Sequence, residues 1–264
     1  MTSLAGLSPS FLPGTVWLVG AGPGDPGLLT IHALNALRNA DVVVHDALVD
    51  PGILSIAREG AVLEYAGKRG GQPSAAQSDI CERLITLAQE GRRVVRLKGG
   101  DPFIFGRGGE EALALAGAGI PFRIVPGVSS GLASLAIHGI PATMRATNHA
   151  VILATGHRAP DQQADWAALA RTGVPIVLYM AVTNLPDIVA ELVEGGLPGS
   201  TSALAVHGVT TSRENVVETT LEHLPRLVEE GVIRSPAIVA VGAIATLRSA
   251  IQNHLLDYGV EAAQ

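Results

Sequence analysis

Val95-Arg96-Leu97-Lys98-Gly99-Gly100-Asp101-Pro102-Phe103-Ile104-Phe105-Gly106-Arg107-Gly108-Gly109-Glu110-Glu111 decides how this chain is read. It opens as an apolar strand, passes through a turn crowded with glycine around an acid, and closes on a helical start. Glycine loses more backbone freedom on folding than any other residue. A turn this rich in glycine exists where something must approach the backbone closely.

On both sides the same alternation continues. Upstream, the sequence predicts strands at Val16–Gly20, Asp41–His45 and Ala61–Tyr65, and helices at Leu28–Arg38, Pro51–Arg58 and Ser78–Glu90. Downstream of strand Val94–Lys98 come helix Gly109–Ala118, strand Phe122–Val125 and helix Val128–His138. Strand and helix in strict turn mark a mainly parallel, doubly wound sheet. Residues 139–148 contain Pro141 and show no strong period, and read as a linker. A second α/β unit over 149–256 follows: strands Ala150–Thr155, Pro175–Tyr179, Ala203–His207, Asn215–Thr219 and Ala237–Val241, with helices Trp166–Arg171, Leu185–Glu194, Leu221–Glu230 and Ile244–Leu256. The consecutive strands near 203 and 215 imply antiparallel pairing, so this sheet is mixed. Residues 1–14 read as a flexible N-terminal arm before a first domain at 15–138.

Composition narrows the function. Of 264 residues, 47% are apolar but only 3% aromatic, so the core is Ala, Val, Leu and Ile rather than a base-stacking surface. A net charge of −6 disfavours a general nucleic-acid or membrane-surface binder. The single cysteine, Cys81, excludes an intrachain disulfide. The start lacks the basic and apolar regions of a signal peptide, and no segment has the roughly 18 consecutive apolar residues of a membrane span. The expectation is a cytoplasmic protein. No histidine pair or cysteine cluster has metal-site spacing, so no metal is expected.

The turns at strand ends hold the candidate chemistry, because ligands of open α/β sheets bind outside the carboxyl ends of strands. Gly20-Ala21-Gly22-Pro23-Gly24-Asp25 sits where a dinucleotide fingerprint would. Asp25 stands where the third glycine is needed, and Pro23 lacks an N–H for a phosphate, so a nicotinamide cofactor is disfavoured. The turn either lines a cofactor cleft or simply lets Asp25 cap the next helix. Asp46 ends the second strand and is either an acid/base group or a cap. Gly67-Lys68-Arg69 ends the third. Lys68, Lys98 and Arg107 together suggest cations converging on a polyanionic ligand. Ser129 and Ser130 offer hydroxyls at a helix start. Tyr179 and Met180 end a strand of the second unit.

Val19–Pro26, Asp46 with Leu48, Gly67–Arg69, Val95–Glu111, Val125–Val128 and Gly139–Pro141 occur in order and resemble the uroporphyrinogen-III C-methyltransferase group of the tetrapyrrole methylase family. The resemblance runs from residue 15 to about 250 and is most specific over Arg96–Glu111. It implies two α/β domains with the active-site cleft between them, and a homodimer. It implies S-adenosylmethionine as methyl donor, leaving as S-adenosylhomocysteine, and a tetrapyrrole acceptor methylated at carbons 2 and 7. Matched motif by motif, the donor-binding residues are Pro23, Gly99, Gly100, Asp101, Ile104, Ser129, Ser130, Met180, Gly208 and Ala237. The acceptor side takes Leu48, Phe105, Arg145, Tyr179 and Met180. Asp46 matches the proton acceptor, Lys68 the proton donor, and Arg107 a catalytic arginine. Two departures stand out: Met144 replaces a histidine common before the arginine at 145, and Ser129-Ser130 replace Thr-Ala. The chain is further expected to be a stand-alone methylase, without the dehydrogenase and chelatase module of fused relatives.

Overall fold

The computed structural model describes residues 6–66, 77–157 and 164–251. By contact density the chain divides into Met1–Ser130 and Gly131–Gln264. The segment expected as a linker, 139–148, thus belongs to the second unit.

The first unit is built on β1 (Thr15–Gly20), β2 (Val42–His45), β3 (Val62–Tyr65), β4 (Arg93–Lys98) and β5 (Phe122–Val125). They form one sheet in the order β3-β2-β4-β1-β5. Every pairing is parallel. Parallel strands need crossovers, and α1 (Ile31–Asn39), α2 (Pro51–Leu54), α3 (Gln77–Gln89) and α4 (Gly108–Gly117) lie between them in the chain. Side chains alternate across the pleat. Trp17, Val19, Val43, Val95 and Leu97 therefore share a core with Ala33, Ala36 and Leu37 of α1 and Ile53 of α2. Val16, Leu18, Val42, Val44 and Val94 share the other with Ile80, Leu84 and Leu87 of α3 and Leu115 of α4.

The second unit carries α5 (Ser130–Ile137) from Gly131 onward, β6 (Ile152–Thr155), α6 (Trp166–Arg171), β7 (Ile176–Tyr179), α7 (Leu185–Glu194), β8 (Ser202–His207), β9 (Asn215–Thr220), α8 (Leu224–Glu229) and β10 (Ala237–Val241). Its sheet runs β6-β7-β10-β8-β9. Only β6 and β7 pair in parallel. The other three pairings are antiparallel, including the expected β8–β9 pair. Its core gathers Trp166, Leu178, Leu185, Ile188, Leu192, Leu221, Leu224 and Val239.

The helix expected over Pro51–Arg58 ends at Leu54, and the strand expected from Ala150 begins at Ile152. Other differences from the sequence reading fall at helix starts. Leu28 is the end of a 3-10 turn (Pro26–Leu28), and α1 begins only after Thr30, whose hydroxyl accepts from the Ala33 N–H. The apolar period around Leu28 and Leu29 conceals this stop. Likewise Leu221–His223 is a 3-10 turn before α8. Pro225, within the first turn of α8, has no N–H to continue a helix from Leu221. The expected helix Ile244–Leu256 opens as a 3-10 turn over Ala243–Thr246 and is helical over 247–251. Its residues 252–256 lie outside the described region.

Candidate active site

The ends of β1, β4 and β5 meet on glycine. A Cβ on Gly20 would lie 2.6 Å from the Gly100 carbonyl oxygen and from the Gly127 Cα. One on Gly127 would lie 2.3 Å from the same carbonyl. No other residue fits at either position. Gly22 and Gly100 exchange backbone hydrogen bonds of 3.1 and 2.7 Å, and both have positive φ. The two turns are thereby joined.

Asp101 fastens the third. Its Oδ1 accepts from the Phe103 N–H at 2.8 Å and its Oδ2 from the Gly127 N–H at 3.0 Å. The carboxylate assigned to the donor is thus also the brace between the β4 and β5 turns. Ser130 stands beside Gly100: a Cβ there would be 3.2 Å from the Ser130 Oγ. Ser129 is buried, while Pro23 and Ile104 are half-buried. At the end of β2, Leu48 covers Gly99, where a Cβ would meet the Leu48 Cβ at 2.9 Å. Leu48 itself is 62% exposed. The structure therefore assembles Pro23, Asp46, Leu48, Gly99, Gly100, Asp101, Ile104, Phe105, Arg107, Ser129 and Ser130 along the carboxyl ends of one sheet. Lys68, the remaining member, lies outside the described residues, as do Gly67 and Arg69.

The basic residues around β4 do not converge as free cations. Arg93 and Arg58 both pair with Asp41, at 2.9 and 2.6 Å, and Arg93 opens β4 rather than ending it. Arg96 and Lys98 are 3% and 4% exposed and share Glu111 Oε1, at 2.9 and 3.2 Å. Burial pushes the Lys98 ammonium below its ordinary value, and Arg96 adds to the fall. Arg107 stays at the surface in a two-pronged pair with Glu110, at 2.9 and 2.7 Å. The expectation of a polyanion pocket around Lys98 is corrected accordingly: its charge is spent inside the protein.

The sequence reading overlooked Arg96 and Glu111 as site-supporting residues. A signal was present. Arg96 sits inside the apolar run of a central strand, where a charge needs a buried partner. The choice between Glu110 and Glu111 depends on helix phase, which the sequence leaves open.

The second unit supplies its own group. β7 and β8 both pair antiparallel with β10, Leu178 opposite Val239 and His207 opposite Ala237. Tyr179, Met180, Gly208 and Ala237 therefore share one end of three neighbouring strands. Tyr179 packs on α5, where a Cβ on Gly131 would fall 2.2 Å from its hydroxyl oxygen. Met180 is 52% exposed with φ of 51°. The loop after Gly208 is held by Glu214, which accepts from the Thr210 N–H at 2.6 Å and contacts His138 Nε2 at 3.1 Å. Arg145 is exposed on a loop tied by Asn148, whose amide donates to the Ala142 and Ala150 carbonyls at 2.8 Å.

Strained backbone marks these places independently. Among the described residues, the non-glycine positions with positive φ are Phe105, Arg107, Ala146, Met180 and Thr210. Three are site candidates, and the others lie next to Arg145 and two residues from Gly208. Such conformations collect at functional sites.

Comparison with known proteins decides the family. Residues 15–225 match the tetrapyrrole (corrin/porphyrin) methylases. The chain belongs to this family. It is 53% identical over 251 residues to a uroporphyrinogen-III C-methyltransferase from Sinorhizobium, covering 94% of this chain and 89% of that one. It is 46% identical to the siroheme synthase of Methylococcus capsulatus, of which it spans half the length. Among solved structures, uroporphyrin-III C-methyl transferase from Thermus thermophilus complexed with S-adenyl homocysteine superposes with a TM-score of 0.76 at 38% identity, over 88% of this chain and 99% of that one. A cobalt precorrin-4 methyltransferase shares the fold with a TM-score of 0.78 at 27% identity, over 88% of this chain and 96% of that one.

Proposed function

We propose that this tetrapyrrole methylase is an S-adenosylmethionine-dependent C-methyltransferase acting on uroporphyrinogen III at carbons 2 and 7, giving precorrin-2 by way of precorrin-1. The 53% identity to the Sinorhizobium enzyme over nearly the whole chain carries this reading. The siroheme synthase relative supports it, since half of its length matches 89% of this chain.

The residues present suit such a donor. It has no phosphate, so the missing N–H at Pro23 is no handicap. It is recognised through backbone and small hydroxyls rather than through a cation cluster, and Gly99, Gly100, Ser129 and Ser130 offer that surface. Bound S-adenosylmethionine would supply an electrophilic methyl group on its sulfonium. The protein's task is then positioning, which holds the acceptor carbon in line with that group. Asp46, 27% exposed on its side chain, takes the proton that leaves the ring. Lys68 is assigned as proton donor from the family motif. Arg107 and Arg145 face acceptor carboxylates, and Leu48, Phe105, Tyr179 and Met180 supply its apolar contacts. We assign the protein to the cytoplasm and to a homodimer on the same resemblance. No described helix is long and apolar enough to cross a membrane.

Anaerobic incubation with uroporphyrinogen III and S-adenosylmethionine, followed by mass analysis, tests the reading. A tetrapyrrole gaining two methyl groups is expected. No gain with uroporphyrinogen III, but one methyl added to a later precorrin, would overturn the substrate and keep the family.

A further inference from the structure

The register of β2 and β4 places a charged pair where a sheet of this kind normally holds apolar residues. Val42 pairs with Val94 and Val44 with Arg96. Alternation then puts Asp46, two residues on, at the same face as Arg96 and Lys98. On that face α4 presents Glu111, with no exposed surface. Arg96 donates from Nε to Glu111 Oε1 at 2.9 Å and from Nη1 to the Val44 and Leu97 carbonyls at 3.4 Å. Its remaining nitrogen, Nη2, lies 3.8 Å from Asp46 Oδ2. Gln77 of α3 adds a hydrogen bond of 3.1 Å to Glu111 Oε1.

The guanidinium is thereby fixed by three internal acceptors and has one edge left toward Asp46. On the other side, the Leu48 N–H donates to Asp46 Oδ1 at 3.4 Å. A sealed Arg–Glu pair is a poor way to gain stability, because removing both charges from water offsets their attraction. A directional role explains its placement better: a planar fork held at one end can orient a carboxylate at the other.

We propose that Arg96, locked by Glu111, is a positioning residue that holds the Asp46 carboxylate aimed for proton abstraction. This rests on the reading of Asp46 as proton acceptor given above. Lysine at 96 could reach one carboxylate but not both, so Arg96→Lys separates charge from geometry. Glu111→Gln keeps size and an acceptor but frees the fork.

The test is a double-mutant cycle in kcat among wild type, Arg96→Lys, Asp46→Asn and the double variant, with Glu111→Gln in the same cycle as a second probe. Asp46→Asn should lower kcat by about 10²–10⁴-fold. Arg96→Lys should lower it by up to about 10²-fold, as expected of a misplaced group. Neither should alter S-adenosylhomocysteine affinity measured by calorimetry. In the Asp46→Asn background, Arg96→Lys and Glu111→Gln should cost no further rate. Multiplicative losses in that background would overturn the positioning role while leaving Asp46 as proton acceptor. A wild-type rate in Asp46→Asn would remove both readings together.

Discussion

Glu110 and Glu111 are neighbours on α4, and each binds an arginine, yet the two pairs belong to different environments. Glu110 and Arg107 are 53% and 57% exposed on their side chains. Glu111 has no exposure and binds Arg96 and Lys98, which have almost none. One helical step of about 100° separates solvent from the sheet. The outer pair can exchange its partner for a ligand at little cost, because water and salt already weaken it. The inner pair cannot, because its members are sealed from solvent and a lost partner would leave a buried charge. The chain thus keeps a mobile charge and a fixed charge side by side after the same glycine turn.

That contrast can be broken in order of expected size. Glu111→Ala leaves two buried cations without their anion and should cost about 3–5 kcal/mol of stability. Denaturant unfolding would show it, and a loss below about 1 kcal/mol would mean that the inner group is no more demanding than a surface pair. Arg107→Ala should instead leave stability nearly intact and lower turnover by about 10²-fold or more. Its φ of 57° gives a further handle. Arg107→Gly removes the left-handed strain, so it should be at least as stable as Arg107→Ala and equally slow. A slower rate in only one of the two would trace the defect to the backbone.

Asp41 provides an intermediate case. Its hydrogen bond with Arg93, foremost, holds its carboxyl well below the usual range, outweighing the opposing effect of burial. A folded value below the unfolded one of about 3.9 means that the stabilisation is fully present above that pH and is lost as pH falls toward the folded value. Asp41→Asn should therefore cost about 2 kcal/mol at neutral pH, with the difference from wild type shrinking in acid below about pH 4. A difference that stays constant through that range would assign the effect to packing. Glu110→Gln is the smallest change and should alter stability by no more than about 0.5 kcal/mol, measured by thermal unfolding.

The same contrast explains what could be read in advance. The fold was legible because its strands are short apolar runs and its helices periodic. Phe122–Val125, Trp166–Arg171, Leu185–Glu194 and Ala237–Val241 fall where the sequence places them. Helix starts were less so, because Thr30 acts through a single hydrogen bond and Pro225 through a missing one, neither of which hydrophobic period registers. In the site, the glycine turns announced themselves by composition. The partnering of charges did not. Lys98 and Arg107 look alike in the sequence as basic residues of one turn, and only the pleat and the phase of α4 send one inward and the other outward. Likewise the sequence offers Asp101 as a ligand contact and does not show that its bonds to the Phe103 and Gly127 N–H groups also brace the site.

The most direct measurement supplies uroporphyrinogen III and S-adenosylmethionine carrying a ¹³C methyl group anaerobically, and follows the tetrapyrrole by carbon NMR. Two labelled methyl signals, on carbons 2 and 7, are expected from the wild type, with both greatly slowed in Arg107→Ala. A donor that is bound but leaves no label on the tetrapyrrole, or a label on any other carbon, would contradict the assignment.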